Sequence, residues 1–150
     1  MMVSLPDLNV LIALAWPTHV HHRQARRWFD ACSEEGWATC PFTQSGFIRI
    51  SSNPRIVDLA VAPRDALVML RRLTALGRHT FWPADIDLAA TPFAHPELVV
   101  GHRQVTDACL LQLAIQHAGR LVTLDQSLPA LLPENSPLRA VVQVISVEPT

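Results

Sequence analysis

The chain contains no lysine, and all twelve of its basic residues are arginine. Thirteen acids oppose them, giving a formal net charge of −1, so the molecule as a whole has no basic field to gather nucleic acid. A local patch is not excluded, because an arginine fork matches phosphate geometry and stacks on bases. Codon usage alone would also remove lysine. Charged residues are scarce at 17% against 49% apolar, a balance that excludes a disordered chain. No apolar run approaches the roughly 18 to 20 residues of a membrane span, so no membrane partner is expected. No basic leader precedes the first apolar run, which follows Asp7, so export is not expected either. The three cysteines are odd in number and share no C-x-x-C spacing, which argues against a disulfide framework or a zinc knuckle. A reducing cytoplasm is the natural setting. Linkers, repeats and low-complexity stretches are absent, and residues 1–150 are expected to form one domain.

Short apolar runs alternate with segments of helical spacing. Val3 to Asp7, Trp37 to Cys40, His79 to Trp82, Arg120 to Leu124 and Val141 to Ser146 read as strands, the first weakened by Pro6. Asn9 to Trp16, His21 to Ser33, Thr43 to Ser52, Pro63 to Leu76 and Thr106 to Ala118 read as helices, with Thr43 and Thr106 as caps. Gln126 to Leu132 reads as a short helix, and Pro83 to Ala90 as irregular or briefly helical. Strands alternating with helices imply an α/β fold, its central sheet mainly parallel and flanked by helices.

Three aspartates stand at strand ends or helix starts in this pattern: Asp7, Asp107 and Asp125. In an α/β fold such positions converge on the crevice at the carboxyl edge of the sheet. Acids gathered there repel one another unless a cation lies between them, usually a divalent one with oxygen ligands. Capping would by itself explain any one of the three, since aspartate favours the positive end of a helix. Three coincident placements point instead to metal-assisted phosphodiester hydrolysis, with two carboxylates on one ion and the third acting through water.

The sequence also resembles a known family. Leu5-Pro6-Asp7-Leu8-Asn9-Val10-Leu11-Ile12 resembles the opening motif of PIN-domain nucleases, Thr106-Asp107-Ala108 their central acidic motif, and Leu121-Val122-Thr123-Leu124-Asp125 their late strand motif. More narrowly, Cys40-Pro41-Phe42-Thr43-Gln44, Ser51-Ser52-Asn53-Pro54, Phe81-Trp82-Pro83 and Gly101-His102-Arg103-Gln104-Val105-Thr106-Asp107 are similar to segments of VapC-type toxins. The resemblance implies a PIN-like three-layer fold and a Mg²⁺-dependent endoribonuclease, with Mn²⁺ a possible substitute. It implies that Asp7 and Asp107 hold the metal, that Asp125 helps through water, and that Thr123 orients a water on the metal. It also implies an RNA substrate, a VapB-type antitoxin and a homodimer. One departure stands out. Many PIN domains carry a glutamate in a Thr-x-x-Glu pattern after the second strand, and here Thr43-Gln44-Ser45-Gly46 places Gly46 there.

Other residues invite a role. Arg49 and Arg55 flank Asn53-Pro54, and His102 and Arg103 precede Asp107, so these four are candidates for RNA phosphate contacts, with solvated surface charge as the alternative. Arg49 is also placed to pair with an acid of the site and lower its pKa. His19, His21 and His22 are read as a solvated helix start rather than a metal cluster. The four tryptophans are read as core or interface residues rather than base-stacking platforms. Val10, Leu11, Leu14 and the face of Ala25, Trp28, Phe29 and Cys32 belong either to the core or to a partner contact. Two other aspartate chemistries fit poorly. A dehalogenase-type phosphatase wants an aspartate where Asn9 stands, and a phospho-receiver wants a lysine. A PIN scaffold that binds RNA or an antitoxin without cutting is the alternative that the glycine at 46 keeps open.

Overall fold

The computed structural model describes residues 2–147. Five short strands form one sheet: β1 (Ser4–Pro6), β2 (Trp37–Thr39), β3 (His79–Phe81), β4 (Arg120–Thr123) and β5 (Val142–Val144). Their order is β3-β2-β1-β4-β5, and every pairing is parallel. The helices are α1 (Leu8–Ala15), α2 (His22–Cys32), α3 (Pro41–Ser51), α4 (Pro63–Thr74) and α5 (Val105–Gln116).

The period-2 alternation of strand side chains sorts them to two cores, one on each face of the sheet. Trp37, Val122 and Ile145 face the helices α1 to α4, packing with Val10, Leu11, Ala25, Phe29 and Phe47. Leu5, Ala38 and Leu121 face α5 and the short 3-10 turn at Leu128–Leu131, packing with Leu110, Leu113 and Leu132. The result is the three-layer α/β arrangement expected from the sequence. Val10, Leu11, Leu14, Ala25, Trp28 and Phe29 are buried in the first of these cores, so that face is intramolecular. Cys40 and Cys109 are buried, Cys32 is half-buried, and all three are free thiols.

Pro6 sits in a central strand without breaking it. Backbone groups of parallel strands address their two neighbours alternately: Ser4 N donates to Gly36 O on the β2 side, and Asp7 N donates to Val122 O on the β4 side. Pro6, two residues after Ser4, would have faced β2, and the pairing of β1 with β2 stops at Ser4↔Trp37. Its missing N–H therefore falls where the ladder has already ended. The chain leaves β1 toward β2 on one side and returns through β4 on the other, so the switch point of the sheet lies at the carboxyl ends of β1 and β4.

Several helix starts differ from the sequence expectation. Helix α3 begins at Pro41 with Cys40 as its N-cap residue. Thr43 is the third helical residue, and its Oγ1 accepts from Cys40 N at 3.0 Å, a reciprocal bond rather than the cap itself. Helix α5 begins at Val105 after a 3-10 turn, His102–Gln104, so Thr106 is inside its first turn and caps nothing. The Gln104 side chain closes that turn by accepting from Val100 N and Gly101 N at 2.8 and 3.1 Å. The segment expected as a helix over 126–132 is only the 3-10 turn, and 83–90 has no helix.

Gly46 is buried on α3 where α1 crosses it. A Cβ there would stand 2.7 Å from Leu8 Cδ2 and 3.3 Å from Leu8 Cδ1, so the Leu8 side chain crowds the point from which any side chain at 46 would start. The contact yields a prediction. Gly46→Glu lowers the free energy of unfolding in urea by about 1–3 kcal/mol through overpacking. Leu8→Ala in the same chain offsets part of that loss, so the double variant is more stable than the sum of the single changes requires.

Candidate active site

The carboxyl ends of β1 and β4 and the first turn of α5 bring Asp7, Asp107 and Asp125 to one cleft of about 360 Å³. Leu8, Asn9, Ile12, His19, Ile50 and Ile56 complete its walls. The convergence follows from chain order. Asp7 directly follows β1, Asp125 follows β4 by one residue, and Asp107 is the third residue of α5.

Asp7 is nearly inaccessible to solvent and does two things at once. Its Oδ1 accepts from Leu8 N at 2.6 Å and caps α1, so the capping role anticipated as an alternative is real. Its Oδ2 accepts from Thr123 Oγ1 at 2.9 Å, which ties β1 to β4. The Thr123 hydroxyl in turn accepts from Asp125 N at 3.0 Å and, more distantly, from Asn9 Nδ2 at 3.4 Å. Its one donor and two acceptor positions are thus all engaged by protein. Asn9 Oδ1 accepts from Leu124 N at 3.2 Å, a second bridge between α1 and the end of β4. Asp125 turns the chain by accepting from Ser127 N and Ser127 Oγ at 2.9 and 2.7 Å through Oδ1. Asp107 receives no hydrogen bond among the described residues.

No arginine lines the cleft, and the electrostatics follow. Burial is the main force raising the Asp7 pKa; the bonds from Thr123 and Leu8 pull it back, and the nearby Asp125 adds to the rise. Asp107 is pushed up to about 7, by burial first and then by the charges of Asp7 and Asp125. Arg49 forms no ion pair with these acids among the described residues, and the two shifts run opposite to the one expected of such a pair.

This is the donor set of a hard cation: carboxylate oxygens lacking a counter-charge. Among the described residues no group of three or more His, Cys, Asp or Glu side chains forms a ready-made metal cage. A hard divalent cation that takes one or two carboxylates and keeps several waters does not require such a cage. Asp7 and Asp107 are suited to hold such an ion.

The other candidates do not line the cleft. Arg49 and Arg55 are exposed beside Ile50 and Ile56, which do line the cleft, while His102 and Arg103 are exposed on the turn leading into α5. None of the four enters the cleft wall. His19 does, although its sequence context suggested only a solvated helix start. The turn between α1 and α2 folds it back, with His19 N bonded to Trp16 O at 2.9 Å and His22 Nδ1 held at Ala13 O at 2.8 Å. No local spacing signals that return. Asn9 also lines the cleft, and its amide within the motif that follows the first strand is the signal the sequence offers for it.

Comparison with known proteins agrees with this architecture. The PIN domain family matches residues 5–131. Ribonuclease VapC39 of Mycobacterium tuberculosis (strain ATCC 25618 / H37Rv) is 47% identical over 127 residues, covering 85% of this chain and 91% of that protein. Ribonuclease VapC38 of the same strain is 46% identical over 123 residues, covering 82% and 85%. Ribonuclease VapC29 of that strain is 45% identical over 130 residues, covering 87% and 91%.

Two predictions follow from the electrostatics and the hydroxyl network. The folded-state pKa of Asp107 is raised, so the folded chain holds a proton that the unfolded chain has released between about pH 4 and about pH 7. Metal-free stability therefore falls as pH rises through that window and stays low above it. In EDTA, thermal unfolding at pH 8 should come a few degrees below that at pH 5, about 1 kcal/mol after allowing for the solvent that reaches the side chain. Magnesium at pH 8, or Asp107→Asn, should close most of that gap. Thr123→Val, which keeps the shape and deletes the hydroxyl, should cost about 1–3 kcal/mol in urea unfolding, because it strands Asp7 Oδ2 and Asp125 N.

Proposed function

The chain belongs to the PIN-domain family, with VapC-type ribonucleases as its relatives, and from that premise we propose that it is a metal-dependent endoribonuclease, the toxic component of a type II toxin–antitoxin pair. The observation that carries this is one cleft lined by Asp7, Asp107 and Asp125 with no arginine among the described residues lining it, where burial and neighbouring charge push the Asp107 pKa up to about 7. A site so deficient in positive charge is incomplete without a cation.

Mg²⁺, with Mn²⁺ as a substitute, is the proposed cofactor, held by Asp7 and Asp107. When bound it supplies a Lewis acid that makes water nucleophilic near neutral pH and offsets charge on the phosphate. Asp125 contributes through an intervening water. Thr123 sets the positions of Asp7 and Asp125, so the orienting role implied by the family resemblance passes through the carboxylates it holds. Arg49, Arg55, His102 and Arg103 are proposed to grip flanking phosphates, which place the RNA without reading it. RNA is the proposed substrate, and a VapB-type antitoxin and a second copy of the chain are the proposed partners. Exposed Phe42 on α3 and exposed Leu67 and Val68 on the adjoining α4 offer apolar surface for such contacts. No helix of the described residues is long and apolar enough to cross a membrane, and the cytoplasm is the proposed location.

A scaffold that binds without cutting is favoured by one observation, a glycine at 46 with Leu8 packed against it where many PIN domains carry an acid. One experiment separates the two. Purified, antitoxin-free protein is incubated with total cellular RNA in Mg²⁺, Mn²⁺ or EDTA, beside Asp7→Asn and Asp107→Asn. Discrete fragments are expected that need metal and disappear in both variants, with activity lowered at least about a hundredfold, as for loss of a major catalytic electrostatic group. Folded wild type that leaves the RNA whole would establish the scaffold instead.

A further inference from the structure

The acid cleft continues past the aspartates. Ile12, His19 and Ile56 line it and also line a second cleft of about 250 Å³, walled further by Trp16, Thr18 and Asp58. The two clefts share these side chains as a common ridge, so a strand crossing the acids runs on over His19 into the second space. We propose that this second cleft seats one base of single-stranded RNA beside the scissile phosphate and thereby selects the sequence that is cut. The inference rests on the nuclease reading.

Stacking surface comes first. Trp28, Trp37 and Trp82 are at most 6% exposed and serve the cores, as the sequence suggested, whereas Trp16 is half-buried and opens onto the cleft. Its Nε1 donates to the buried Ser51 Oγ at 3.1 Å, which holds the indole in place before any ligand arrives. A fixed aromatic face binds a base with little loss of side-chain freedom. Ile56 stands in the same cleft at 58% exposure, an apolar side chain left in water that a base would cover. Its backbone is held by the turn in which Ile56 N and Val57 N both donate to Asn53 O at 3.0 Å.

Polar groups then supply what stacking lacks, a means of reading the edge of the base. His19 Nδ1 accepts from His21 N at 3.0 Å, which puts the ring proton on Nε2 and makes that nitrogen a donor. Burial, with His21 and His22 close by, favours the neutral ring and so preserves that tautomer. Asp58 brings an exposed carboxylate, an acceptor for base N–H groups. A donor, an acceptor and an aromatic face around a space of this size match one unpaired base rather than a duplex.

The test uses a randomised single-stranded RNA pool cleaved by wild type, Asp58→Asn, His19→Asn and His19→Gln, with product ends sequenced. His19→Asn keeps an acceptor for His21 N–H but its own N–H donors fall short of the Nε2 position, whereas His19→Gln carries an N–H donor to that position. Wild type should prefer one base at a fixed position beside the cut. Asp58→Asn and His19→Asn should change that preference about tenfold at that position only, and His19→Gln should retain it. On an RNA abasic at that position wild type and Asp58→Asn, whose changed side chain lies outside the acid cleft, should share one kcat/KM. Unchanged preference in Asp58→Asn and His19→Asn, or a loss uniform across sequences, would overturn the base seat and leave the nuclease standing. Absence of cleavage by wild type would sink the nuclease reading and the base seat together.

Discussion

The hydroxyl of Thr123 is the point at which sheet, helix and acids meet. It donates to Asp7 at the end of β1, accepts the backbone of Asp125 beyond β4, and lies within reach of Asn9 on α1. The last backbone bond between these parallel strands runs from Asp7 N to Val122 O, and their connections then leave in opposite directions. A buried side-chain bond joins them past that point, and it sets the separation of two carboxylates that would otherwise drift apart under their own repulsion. In that low-dielectric setting a bond to an ionised oxygen is worth more than its neutral counterpart.

The same burial that strengthens the network penalises the charges it positions. Asp7 is eased by two donors, but Asp107 has none among the described residues and responds by keeping its proton. The metal-free fold thus carries an electrostatic cost concentrated in one cleft. A site of this kind gives up stability in order to bind a cation, and a cation bound only by the native state returns it by mass action.

Much of this was legible in the sequence because it depends on chain order and strand alternation alone. Asp7, Asp107 and Asp125 each abut a regular element, so knowing that the fold is parallel α/β suffices to gather them. The buried tryptophans at 28, 37 and 82 lie within apolar spacing and behaved accordingly. What stayed hidden arises from tertiary contact. His19 reaches the cleft through the α1–α2 turn, and Trp16, the C-cap of α1, is left half-buried at the start of that turn. Helix starts were misplaced for a local reason: threonine is a better intrinsic cap than cysteine or glutamine, yet Cys40 and Gln104 precede the first helical turns. Pro6 weakened a strand that survives because its nitrogen points where no partner was needed.

The contact between Leu8 and Gly46 links two positions that lie far apart in the chain. A side chain at 46 requires the end of the Leu8 side chain to move, and loss of the leucine alone leaves room beside α3. Each change asks the other position to adjust, so the acid count of the site is coupled to the packing of α1 on α3. Within a set of descendants the two positions should change together or not at all, and the number of acids in the cleft would then be inherited with the fit of one helix against another.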